Sequence, residues 1–245
     1  MTKRFILGLA VVWSVSASVP ALADDPGRID AYVTPYYNSS GPIVKAGTYS
    51  AGLAAGGQRF VNTIFDMKRH WRRLTFVQLY VAAIRLYDLG YRDESVYWFY
   101  QAQYQGRLFA LLLDTKAMGN IGSPGFELYH AQDAFFTLAG PDVNAYAFGN
   151  IDALVRTIVQ TQSLNQTAPD MQAIYPGIRF IPKAQWAKRN DDLSAGLGKL
   201  AGTLAGQKDQ IARDREENGT AARFARVTSK PFPHPPPPKS GDPDR

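Results

Sequence analysis

Tyr97-Trp98-Phe99-Tyr100-Gln101-Ala102-Gln103-Tyr104-Gln105-Gly106-Arg107 is the stretch whose reading decides the fold. At 100° per residue on a helix, Ser95, Phe99, Ala102 and Gly106 share one face, with Trp98 at its edge. Tyr97, Tyr100, Tyr104 and Arg107 fall on the opposite face. A helix that is aromatic on two faces has two explanations. Either it is central and enclosed on all sides, or its second face awaits a partner, because tyrosine and arginine bury large areas while keeping a polar tip. The second explanation makes Tyr97, Tyr100, Tyr104 and Arg107 a partner-binding surface.

Outward from this stretch the pattern stays helical. Phe60, Ile64, Met67 and Trp71 recur at i, i+4, i+7 and i+11 as one apolar stripe. Thr75 is placed to cap a following helix that carries Phe76, Leu79, Tyr80, Ala83, Ile84 and Tyr87 inward, and Gly90 ends it. Asp93 then reads as the cap of the decisive helix, which runs at least to Gln105 and on toward Leu113. A glycine-rich loop, Gly119 to Gly125, leads to a helix from Phe126 to Leu138 that Gly140-Pro141 is expected to stop. Asn150 or Asp152 starts the next, which lasts to about Asn165. Ile178-Arg179-Phe180-Ile181 reads as a short strand. One long helix is expected from Lys183 to Glu217, with Leu193, Leu197, Leu200, Leu204 and Ile211 on its stripe and Gly198, Gly202 and Gly206 in a row that lets another helix approach.

Val81 to Gly90, followed by Ser95, Trp98-Phe99, Ala102 and Gly106, resembles a tetratricopeptide-type hairpin of the Sel-like branch, over about residues 76–107. The resemblance implies two helices packed against each other; no second copy of the repeat follows. The chain as a whole resembles uncharacterised exported proteins of proteobacteria, a likeness that implies a compartment and no activity.

The ends read differently. Lys3-Arg4, the apolar run Phe5 to Val15, Pro20 and the small-residue motif Ala21-Leu22-Ala23 predict a cleaved export signal over residues 1–23 and a periplasmic or secreted product. Residues 24–57, rich in Gly, Pro, Ser and Tyr, are expected to be extended or irregular chain. Residues 58–228 form the helical domain. From Ser229 onward the chain, with four consecutive prolines at 235–238, is expected to be a disordered or polyproline-like tail. The fold class is thus all-α: an irregular helical domain, one hairpin and a loose tail.

Composition excludes several chemistries. With no cysteine there is no disulfide, thiolate metal site or thiol nucleophile. The chain carries +6, and loss of Lys3 and Arg4 with the signal leaves +4, a mild charge that suits anionic partners such as cell-wall polymer or lipid headgroups and equally an ordinary solvated surface; nucleic acid is not expected in that compartment. The basic run Lys68-Arg69-His70-Trp71-Arg72-Arg73 concentrates this charge, so Arg69, Arg72 and Arg73 join the candidate partner surface. No metal or cofactor is expected: Glu127, His130 and Asp133 follow one another at i, i+3 and i+6, but the carboxylate–histidine centres of four-helix proteins need a second such pair on another helix. The loop Gly119-Asn120-Ile121-Gly122-Ser123-Pro124-Gly125 lacks the Lys-Ser/Thr of a phosphate loop. The expectation is a periplasmic, non-catalytic helical protein that binds an envelope protein, including an immunity-like role toward a toxin. The alternative is a hydrolase of cell-wall glycan or peptide using a pair drawn from Asp88, Asp93, Glu94, Glu127 and Asp133.

Overall fold

Thr75 opens the structural core with a reciprocal cap. Its side chain accepts from Gln78 N, and Gln78 Oε1 accepts from Thr75 N. Helix α3 (Phe76–Asp88) follows and ends at Gly90, where φ is +85°. There Tyr91 N bonds Leu86 O and Gly90 N bonds Tyr87 O, the paired closure that only a left-handed residue permits cheaply. The chain reverses and α4 (Arg92–Leu112) runs back against α3. Ser95 Oγ donates to Ala83 O at 2.7 Å near one end, and the Phe76 and Phe109 rings meet at 5.5 Å near the other.

These elements belong to a computed structural model that describes residues 26–27 and 47–234. The expected export signal, most of residues 24–57 and the four-proline run lie outside the described residues. Within them the protein is all-α, with an isolated antiparallel bridge between Leu113 and Phe180. That bridge replaces the strand expected at 178–181: Asp114 N bonds Arg179 O and Ile181 N bonds Leu112 O, so this segment only clips the end of α4.

The remaining helices wrap α4. Before α3 come the short α1 (Ser50–Ala54), α2 (Gly57–Arg69) and a 3₁₀ turn, Trp71–Arg73. After α4 come α5 (Pro124–Ala147), α6 (Ile151–Leu164), the single turn α7 (Met171–Ile174), α8 (Trp186–Gly206), α9 (Lys208–Glu217) and α10 (Thr220–Phe224). α3, α5, α6 and α8 all pack on α4. One continuous apolar cluster runs through the whole, with Phe60, Ile64, Met67, Phe76, Tyr80, Trp98, Phe99 and Phe109 sealed from solvent.

Five boundaries differ from the sequence reading. Residues 47–54, expected to be irregular, form a 3₁₀ turn and α1, because Leu53 buries its side chain and its carbonyl accepts from Arg85 Nε. α4 starts at Arg92 with Tyr91 in the cap position; the Asp93 carboxylate accepts from the Tyr146 hydroxyl instead of capping. α5 passes through Gly140-Pro141 and continues to Ala147, since Ala139, Gly140, Val143 and Ala147 are all buried on its inner side and outweigh the missing N–H. The long C-terminal helix breaks at Gln207 into α8 and α9; Gly198 is approached by the Gln162 amide, whereas Gly202 and Gly206 face open space and receive no helix. Residues 229–234 of the tail are packed: Phe232 meets Phe65 at 5.6 Å and Tyr91 at 5.2 Å, and Lys230 N bonds Gly90 O.

Candidate functional site

The tyrosine face of α4 is distributed among its neighbours and does not form an outer surface. Tyr100 is 3% exposed and its hydroxyl donates to Asn144 Oδ1 of α5 at 3.1 Å. Tyr104 is 2% exposed and its hydroxyl donates to Asn190 Oδ1 of α8 at 2.9 Å. Tyr97 is half-buried and stacks on Trp71 at 5.6 Å with the ring planes 25° apart. Burial pushes the Tyr97 hydroxyl up to about 12; the Glu94 charge adds to the rise and the Gln101 amide opposes it. Burial likewise raises Tyr100 and Tyr104. Arg107 is half-buried among Tyr80, Tyr100 and Asp133, and burial lowers its pKa against their compensating influence. The expected partner face is therefore interior at Tyr100 and Tyr104, because α5 and α8 cover the side of α4 that α3 leaves bare.

The same enclosure traps three glutamines. Gln101, Gln103 and Gln105 are all buried. Gln105 Nε2 donates to Leu74 O at 2.6 Å, and Gln101 Oε1 accepts from Asn165 Nδ2 at 2.8 Å. Gln105 Oε1, Gln101 Nε2 and both polar atoms of Gln103 make no well-formed hydrogen bond with the described residues. Gln101 and Gln105, one turn apart, line a cleft with Trp71, Arg72, Leu164 and Pro169 whose interior is about 30 Å³, large enough for water and little else.

The basic run stays outside. Lys68 pairs with Glu94 at 2.6 Å, and Glu94 also accepts from Trp98 Nε1 at 2.7 Å. Arg69 pairs with Asp66 at 2.8 Å, on a side chain 69% exposed. His70 Nδ1 lies 3.0 Å from Asp66 O. Arg72 and Arg73 are exposed on the 3₁₀ turn and have no acidic partner among the described residues. Trp71 anchors this turn, held between Tyr97 and Trp98, whose centroid lies 4.9 Å away. Arg72 stands at the mouth of the glutamine cleft. Lys68 and Arg69, with Phe65, Glu94, Phe232, Pro233 and His234, line an open hollow of about 470 Å³ on the other side.

The other candidates are spent locally. Glu127 accepts from Gly122 N at 2.8 Å and so ties the glycine loop to the first turn of α5. His130 is exposed, its ring 4.4 Å from that of Phe126 and 5.3 Å from that of Tyr129, and Asp133 is exposed one turn on. Among the described residues no group of three His, Asp or Glu side chains is placed to hold a metal ion. Asp93 holds Tyr146, Glu94 is neutralised by Lys68, and Asp88 lies half-buried at the end of α3.

The chain is similar to an uncharacterized protein of Haemophilus influenzae, at 22% identity over 243 residues, covering 89% of this chain and 87% of the relative. No family model and no solved structure matches it. No helix among the described residues is long and apolar enough to cross a membrane.

Two features of the site escaped the sequence reading. The alternation Gln101-x-Gln103-x-Gln105 was visible, and on a helix aromatic on two faces it places polar amides on the flanks that tertiary neighbours must cover. The docking of Phe232 had a weaker signal: a lone aromatic between Pro231 and Pro233 inside an otherwise unpackable tail.

Proposed function

We propose that this chain is an exported, non-catalytic binding protein whose contact surface is the basic corner Lys68 to Arg73, and that its partner is an envelope protein presenting acidic groups. The observation that carries the reading is the state of Arg72 and Arg73: two exposed guanidiniums on a turn held rigid by Trp71, with no acid among the described residues to satisfy them. Arg69 at the end of α2 also favours the helix dipole, which accounts for it without a partner. Arg72 and Arg73 lie beyond the helix, where that explanation does not reach. Guanidinium groups pre-arranged on a fixed turn suit bidentate recognition of carboxylates at low ordering cost. An immunity-like role is one form of such binding.

The test is capture from envelope extract by wild type and by the Arg72→Glu/Arg73→Glu pair. Both positions are exposed, so the variant keeps its helical circular dichroism. A protein held by wild type, released by raised salt and lost by the variant supports the reading. An identical set on both baits, or retention of purified cell-wall polymer alone, overturns it.

A further inference from the structure

One wall of the hollow beside α2 is the chain's own end, which sits against Phe65 and Tyr91 as a ligand would. Segment 229–234, Ser-Lys-Pro-Phe-Pro-His, crosses the α3–α4 turn without helix or strand. Phe232 is its anchor: its ring sits edge-on to Phe65 and to Tyr91, and Lys68 Nζ lies 5.1 Å from the ring centroid. The backbone is read as well. Lys230 N donates to Gly90 O at 2.7 Å, Asp93 N donates to Ser229 Oγ at 2.9 Å, and Arg92 Nη1 donates to Thr228 O. A Cβ at Gly90 would come 3.3 Å from the Lys230 side chain, so the turn glycine also leaves room for the strap. An aromatic-lined groove that seats an extended, proline-bracketed segment is a known recognition mode, because such a segment loses little entropy on binding.

We propose that this groove is a receptor for a proline-flanked phenylalanine segment of another polypeptide, and that residues 229–234 occupy it in cis as a competitor. The inference rests on the binding-protein reading and names the partner's chemistry at the hollow that adjoins the basic corner. Two properties of the strap make it displaceable. It is held by one aromatic side chain and a few polar contacts, and Pro231 and Pro233 contribute no N–H. The favoured ligand is therefore a Pro-Phe-Pro segment.

The test uses the full chain carrying Phe232→Ala, which leaves the fold intact and removes the internal anchor. A fluorescent peptide spanning residues 229–240 is titrated against it and against wild type, with anisotropy as the readout. The expected result is binding to the Phe232→Ala chain and about tenfold or weaker binding to wild type, since a short tether keeps the internal competitor at high effective concentration. The peptide with its own Phe232→Ala change loses binding, and the Phe65→Leu/Phe232→Ala chain binds more weakly. No binding to the Phe232→Ala chain, or equal binding to both chains, overturns the proposal. Concentration-dependent dimerisation of wild type that Phe232→Ala abolishes also overturns it, by making a second copy the occupant. The assay contains no extract, so peptide binding without a captured partner breaks only the functional reading, and capture through Arg72 and Arg73 without peptide binding breaks only this one.

Discussion

α4 and α8 are both 21 residues long, and they are built by opposite means. Fourteen residues of α4 are buried, including three glutamines, a serine and two tyrosines, and only five of α8 are. Strong helix formers make up about half of either helix, so propensity does not separate them; α4 differs in being enclosed by four packed helices. α8 lies against α6 and α4 along one stripe, with Gly196, Gly202 and Gly206 facing nothing within 4 Å. Each such glycine costs the helix about 1 kcal/mol relative to alanine. Length and helicity are thus equal, while the sources of stability differ: enclosure holds α4 and a single seam holds α8. Local opening is expected to begin at α8 and α9, since no residue of α9 is buried.

The comparison breaks most readily at Trp98. Its side chain is sealed from solvent, and its Nε1 occupies the carboxylate of Glu94. Trp98→Ala is expected to cost about 3–5 kcal/mol, measured by denaturant unfolding followed by circular dichroism. A loss below about 1 kcal/mol would mean that α4 is not the centre of the fold. A pair of glycine changes sharpens the contrast. A Cβ at Gly106 would lie 2.6 Å from Gln132 Cγ, so Gly106→Ala is expected to destabilise by about 1–3 kcal/mol. Gly202→Ala meets no atom within 4 Å and is expected to stabilise by about 0.5–1 kcal/mol in the same assay. Equal signs for the two would remove the distinction between the helices. The smallest effect belongs to Gln103. Neither polar atom makes a well-formed hydrogen bond with the described residues, so Gln103→Met, which keeps shape, is expected to be neutral or to stabilise by about 1 kcal/mol. A clear destabilisation would reveal that the amide is satisfied by bound water.

Local signals were legible at several helix ends. The Thr75 cap and the Gly90 stop were readable, and of the two candidates Asn150 and Asp152 it is Asn150 that caps, its side chain accepting from Ala153 N; each depends on residues within a few positions of one another. Pro141 was misjudged because the penalty is local and the compensation is not: Val143 and Ala147 are buried and Asn144 accepts from Tyr100, contacts that only the assembled fold supplies. The tyrosine face failed for the same reason. Periodicity showed two apolar faces on α4 and implied that both must be covered, but it could not say whether by this chain or by another. Asn144 and Asn190, the acceptors that settle Tyr100 and Tyr104, come 44 and 86 residues later. The exposure of Arg69, Arg72 and Arg73 was legible because it needs no distant partner.

Arg92 joins two distant parts of the chain. One of its nitrogens donates to Gly27 O and another to Thr228 O, contacts 65 and 136 residues away in opposite directions. Its guanidinium also lies over the Tyr87 ring, whose hydroxyl bonds Pro26 O. The described chain is in effect a closed circle with one clasp. A linker joining the two carbonyl-bearing segments would have little distance to bridge, so the order in which the helices are encoded is separable from the shape they make. A segment joined at Gly27 or at Thr228 would leave the surface at the same spot, beside the groove that holds Phe232.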